Sequence, residues 1–130
     1  MVAKRESAVW RSLRKKLPAG HIVRVENPAL PGTPDVNAFI TGGQEFWAEL
    51  KQVPSAPKRP DTPVFTGCLR ADQILWHVLR QRAKGRSYIV GYVGDLDELF
   101  IIHGSLAEQF NGFTLKELRE KTLKLEDMWT

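Results

Sequence analysis

Residues 35–53, DVNAFITGGQEFWAELKQV, set two apolar runs on either side of a Gly-Gly turn. Runs rich in β-branched and aromatic residues, joined through TGGQ, read as an antiparallel hairpin. A strand covers 35–40, a turn 41–44 and a returning strand 45–53. A two-stranded hairpin is marginal alone, so this chain must add strands or a helix to cover it. The apolar pattern leaves the charges unexplained. Side chains alternate across a strand, so Glu49 and Lys51 share one face while Ala48 and Leu50 share the other. The antiparallel return can bring positions 35 and 49 to similar heights, which gathers two carboxylates and one ammonium into a small space. Neighbouring carboxylates resist joint ionisation unless a cation compensates them. A hard divalent ion does so, and Mg²⁺ commonly takes one or two carboxylates plus water and substrate phosphate. A lysine beside it can orient an attacking hydroxide or stabilise charge developing at phosphorus.

At 130 residues the chain is most simply one domain with room for a core. Charged residues make up 26% and hydrophobic ones 42%, which sets aside a disordered chain. No apolar run approaches the roughly 18 residues of a membrane span. The N-terminal MVAKRESAVWRSLRKK is basic but lacks the apolar centre of a secretory signal. The single cysteine, Cys68, excludes an internal disulfide and a thiolate metal cluster, and reads as a small buried or half-buried side chain. The cytoplasm is the compartment these features suit. Residues 1–94 carry 15 Lys and Arg against 7 Asp and Glu, whereas 95–130 carry 4 against 8. The basic majority suits a polyanionic partner, and nucleic acid is the commonest.

Along the rest of the chain, ESAVWRSLRKKL reads as a helix, stopped by Pro18 and Gly20. On its wheel Glu6 falls within the stripe of Val9, Trp10, Leu13 and Leu17, where a carboxylate is least expected. HIVRVEN reads as a strand. PSAPKRPDTPVFTG, with four prolines, reads as an irregular, mobile loop carrying Lys58 and Arg59. RADQILWHVLRQRAKG is a second helix. Its apolar side holds Ile74, Leu75, Val78 and Leu79, which places Gln73, His77 and Arg80 together on the opposite, solvated face. SYIVGYVG and ELFIIHG read as strands around the acidic turn DLD. SLAEQF and TLKELREKTLKLEDM read as helices, the latter opened by Thr114 and Glu117 at capping-box spacing. The order α-β-β-β-α-β-β-α gives a mixed sheet flanked by helices.

Taken in order, Glu6, Gly32-Thr33-Pro34-Asp35, Glu49-Leu50-Lys51 and Gln73 resemble the motifs of the PD-(D/E)XK nuclease superfamily. Within it they are most similar to the virus-type replication-repair nuclease group (VRR-NUC), which has small phage versions and is related to Holliday-junction resolvases. The similarity runs from about residue 6 to about residue 90. It implies an α/β, restriction-endonuclease-like core, about 6–104 of a single nuclease domain; the helical tail read at about 105–130 has no counterpart in the resemblance. It also implies hydrolysis of DNA phosphodiesters with Mg²⁺, or Mn²⁺ in its place. Asp35 and Glu49 would take the metal-ligand roles, with the Leu50 carbonyl as a further ligand and Glu6 reaching the metal directly or through water. Lys51 would be the catalytic lysine, and Gln73 matches the glutamine that opens the helix after the catalytic strands. The resolvase relatives imply branched or duplex DNA as substrate and a homodimer; a phage origin would place the protein in the bacterial host cytoplasm.

Lys58, Arg59, Arg70, His77 and Arg80 are the candidate contacts to the DNA backbone. Trp47, on the strand face of Glu49 and Lys51, is expected to pack beside the site. Two other classes compete with a branched-DNA endonuclease. One is a nicking, flap or restriction-type enzyme on the same fold. The other is a non-catalytic nucleic-acid-binding module. A small-molecule hydrolase has no support, since no nucleophile-elbow serine or paired histidine and cysteine is present.

Overall fold

Five strands in the order β1-β2-β3-β4-β5 form one mixed sheet. The computed structural model describes residues 7–25 and 29–130. The strands are β1 Gly20–Arg24, β2 Val36–Ile40, β3 Glu45–Val53, β4 Ser87–Val93 and β5 Glu98–His103. Three helices flank them, α1 Ala8–Lys16, α2 Ala71–Arg82 and α3 Leu115–Lys121. All neighbouring strands are antiparallel except β3 and β4, which run parallel. A parallel pair needs a crossover, and α2 lies within it.

Each sheet face carries its own core. On one face α1 lays Val9, Trp10 and Leu13 over Val36, Ala38, Phe46, Ala48, Tyr88 and Val90. Ser7 caps this helix by accepting the Trp10 amide at 3.3 Å. The other face buries Ile89, Val93, Phe100 and Ile102 beneath Phe65, Phe110, Phe113 and Leu118. The C-terminal residues close the α1 side: Met128 is buried in that core, and Trp129 stacks on Phe46 with ring centroids 6.4 Å apart.

Three sequence expectations change, besides the helix expected over SLAEQF, which forms only the 3₁₀ turns Gly104–Leu106 and Phe110–Gly112 with a turn between them. The helix expected over 114–128 opens with the capping box at Thr114 and Glu117 but ends at Lys121. Beyond it the β5 edge captures the chain. Thr122 Oγ1 accepts from Ile101 N at 2.9 Å, and Leu123 N donates to the Ile101 carbonyl at 2.8 Å. A 3₁₀ turn, Leu125–Met128, replaces the second half, and the bridge at Ile101 occupies the middle of the β5 edge.

The proline-rich stretch is irregular, as its prolines require, but it is anchored rather than loose. Phe65 is fully buried and stacks on Phe110 at 5.0 Å, and Val64 N donates to the Phe113 carbonyl at 3.1 Å. Gly91 on β4 makes room for the Phe65 ring, since a Cβ there would lie 2.6 Å from it.

The third change is the facing of α2. Gln73 and His77 are 5% and 0% exposed, whereas Leu75 and Leu79 are 55% and 53% exposed. Ser87 on β4 offers the inner side its partners: His77 Nδ1 meets Ser87 Oγ at 2.9 Å, and Gln81 Nε2 donates to Ser87 Oγ at 3.0 Å. Gln73 Oε1 is satisfied within the first turn of the helix, where it accepts the Arg70 amide at 2.9 Å.

Burial pushes the His77 imidazole down from 6.5 to about 4. A depressed histidine adds stability that is complete above its unfolded pKa and is lost as pH falls through 6.5 towards 4, roughly 3 kcal/mol in all. Urea unfolding of the wild type and His77→Gln at pH 7 and pH 4.5 measures this. The wild type should lose more stability than the variant over that interval; an equal loss in both would contradict it.

Candidate active site

The β2–β3 register pairs Val36 with Ala48 and Asn37 with Trp47. Continued one residue outward, it sets Asp35 opposite Glu49, as the hairpin reading requires. Gly32 prepares the approach. Its φ is +90°, and a Cβ there would come within 2.4 Å of the Asp72 carbonyl oxygen, so only glycine lets this loop lie on the start of α2. Thr33 tightens the turn by donating its hydroxyl to the Leu30 carbonyl at 2.8 Å. Asp35 Oδ2 then accepts the Leu50 amide at 2.8 Å, which ties the first acid to the strand bearing the second.

Glu49 is only 2% exposed, and its Oε1 has no hydrogen-bond partner. Lys51 Nζ stands 3.6 Å from Glu49 Oε2. Burial first, and Asp35 second, push the Glu49 carboxyl up to about 9 against the pull of Lys51. A buried carboxylate with an orphaned oxygen beside a second carboxylate is over-supplied with acceptors and short of positive charge. A divalent cation fits that deficit. Asp35, Glu49 and the Leu50 carbonyl could hold it, and two carboxylates with water and phosphate suffice for Mg²⁺. Among the described residues no group of three or more His, Cys, Asp and Glu side chains forms a fuller cage.

Cys68 senses Lys51, although burial dominates and raises its thiol. Arg70 pairs with Asp72 at 3.1 Å, which raises its guanidinium, and Glu49 and Asp35 add smaller pulls in the same direction. Gln73 is buried at the start of α2, against which Gly32 is packed.

His77 is the expectation that fails. It is enclosed against Ser87 and presents nothing to a phosphate. Arg59 lines a groove of about 400 Å³ with Pro57, Pro60, Leu115 and Arg119. Lys58 is exposed beside it. Trp47 packs beside the site as expected, its ring 5.4 Å from Trp76, and Arg80 lies over Trp76 at 4.5 Å and Trp47 at 5.5 Å. This stack was not legible in sequence, because it depends on the rotation of α2. The Glu6 expectation lies outside the described residues.

No protein-family model and no curated protein sequence matches the chain. Twelve chains of known structure do. One is the 1.6 Å structure of Hjc from Archaeoglobus fulgidus, a Holliday junction resolvase from an archaeal hyperthermophile. The two are 15% identical with a TM-score of 0.53, over 92% of this chain and 91% of that one. The fold is restriction-endonuclease-like. At this identity the likeness shows the architecture, and the chemistry rests on the residues themselves. No helix among the described residues is long and apolar enough to cross a membrane.

Proposed function

We propose that this chain is a Mg²⁺-dependent endodeoxyribonuclease, accepting Mn²⁺ in its place, that hydrolyses phosphodiesters in branched DNA. The observation that carries the reading is the buried Glu49 with its unpartnered Oε1, facing Asp35 and flanked by Lys51. A divalent ion held by Asp35, Glu49 and the Leu50 carbonyl would neutralise phosphate charge and acidify the attacking water. The chain's own groups do the rest. Asp35 fixes the spacing of the acids through its bond to the Leu50 amide. Lys51 holds a positive charge beside the scissile position, where it orients the nucleophile and stabilises charge developing at phosphorus. Lys58, Arg59 and Arg70 supply backbone contacts, and Gln73 supports the approach from the start of α2. Glu6, by the motif order, adds a further acid to the metal.

The motif order from Glu6 to Gln73 supports membership of the VRR-NUC group. The Hjc-like architecture supports a junction substrate and a homodimer, since paired cuts across a symmetric junction suit a two-fold enzyme. The cytoplasm, that of a bacterial host for a phage protein, is the corresponding location. Incubation with Mg²⁺ and a panel of four-way junction, flap, linear duplex and single-stranded DNA tests the substrate. We expect the four-way junction to be cut fastest, at least about tenfold over linear duplex, which is about 1.4 kcal/mol of discrimination. Preferred cutting of the flap or duplex would transfer the assignment to a flap, nicking or restriction-type enzyme. Salt-sensitive binding with no metal-dependent product would reduce the protein to a binding module.

A further inference from the structure

The rotation of α2 that buries Gln73 and His77 leaves Leu75 and Leu79 facing outward. The sheet beside this helix is also partly uncovered. α2 lies over β4 and the 3₁₀ turn Gly104–Leu106, and among the described residues no helix packs closely on the β1–β2 half of the same face. There Phe39 is 51% and Val23 38% exposed. The register makes this one surface. Val23 pairs with Asn37, Asn37 with Trp47, and Trp47 touches Trp76 on the helix. The result is a step with an apolar floor on the sheet and an apolar wall on α2.

We propose that this step is where a second copy of the chain docks by a two-fold axis, with Arg80 of each copy meeting Glu45 of the other. Two observations select this occupant. The first is extent. On ordinary residue areas Val23, Phe39, Leu75 and Leu79 expose roughly 400 Å², about half of the roughly 800 Å² each partner gives to a stable interface, before Trp47 and Trp76 are counted. The second is charge. Arg80 lies over two indoles and has no acidic partner among the described residues. Glu45 opens β3 on the same face, opposite Phe39, is exposed, and has no basic partner among them. A surface carrying one fixed cation and one free anion is complementary to its own two-fold mate. A polyanion is a poor occupant, because Leu75, Leu79 and Phe39 offer a phosphate nothing. This moves Arg80 from the DNA contact expected of it to a protein contact. The inference deepens the homodimer reading above and rests on that reading only for its consequence, two cutting centres on one particle.

Light scattering on the eluting protein, without DNA or metal, tests it. The wild type should have twice the chain mass of 14.8 kDa. Leu75→Glu/Leu79→Glu should run at the single-chain mass with an unchanged circular dichroism spectrum. Phe39→Glu, on a different element, should do the same if the helix variant does not fold. Arg80→Glu should weaken the dimer at least tenfold on dilution, and adding Glu45→Arg to it should restore most of that loss. A wild type of single-chain mass, or folded leucine and phenylalanine variants that stay dimeric, would overturn the proposal. Since the mass is read without substrate, a dimer that cuts nothing sinks the nuclease reading and leaves this interface standing. A monomer that cuts does the reverse.

Discussion

Glu49→Gln is expected to lower metal-dependent DNA cleavage by at least about 10³-fold, roughly 4 kcal/mol of barrier, while leaving the fold intact. The amide keeps the shape of a side chain that is 2% exposed and, like the carboxyl that burial holds protonated in the absence of a metal, carries no charge. No packing is lost, so the melting temperature should hold. Asp35→Ala should abolish cleavage as well, but at a price in stability. It leaves the Leu50 amide without its acceptor, at about 1–3 kcal/mol. The two acids are therefore separable: one variant is inactive and stable, the other inactive and weakened. Cleavage rates beside thermal melts check this. A Glu49→Gln protein that cuts at the wild-type rate would remove the carboxylate pair from the mechanism.

Phe65→Ala is expected to destabilise the protein by about 3–5 kcal/mol, the range for truncating a fully buried phenylalanine. The ring stacks on Phe110 and fills the space that Gly91 leaves over the sheet. For a domain of this size that is about 10–20 °C of melting temperature. A loss of under about 1 kcal/mol in urea unfolding would mean that the proline-rich stretch is not anchored as described. The loop also carries Lys58 and Arg59, so its anchoring sets where those cations stand relative to the acids.

The hairpin was legible because two independent signals agree: apolar runs of strand length and a Gly-Gly turn. β3 spans 45–53 as read, and the register sets Asp35 across from Glu49. Alternation also placed Lys51 beside Glu49 without any tertiary information. The rotation of α2 was not legible. A helical wheel finds a polar stripe at Gln73 and His77 but cannot tell whether that stripe meets solvent or Ser87. Here the buried side offered hydrogen-bond partners, so the polar stripe went inward and Leu75 and Leu79 went out. Phe65 was hidden for a related reason: prolines erase periodicity, so one anchoring aromatic leaves no pattern. The end of α3 depended on Ile101, a residue of β5 that claims Thr122 and Leu123 through space.

The central claim is that Asp35 and Glu49 together hold a divalent cation beside Lys51. Calorimetric titration of Mn²⁺ into the wild type and into Glu49→Gln, without DNA, tests it most directly. The wild type should show saturable binding, and Glu49→Gln should bind at least about tenfold more weakly, as loss of an anionic ligand requires. Equal Mn²⁺ affinity in the two proteins would contradict the account.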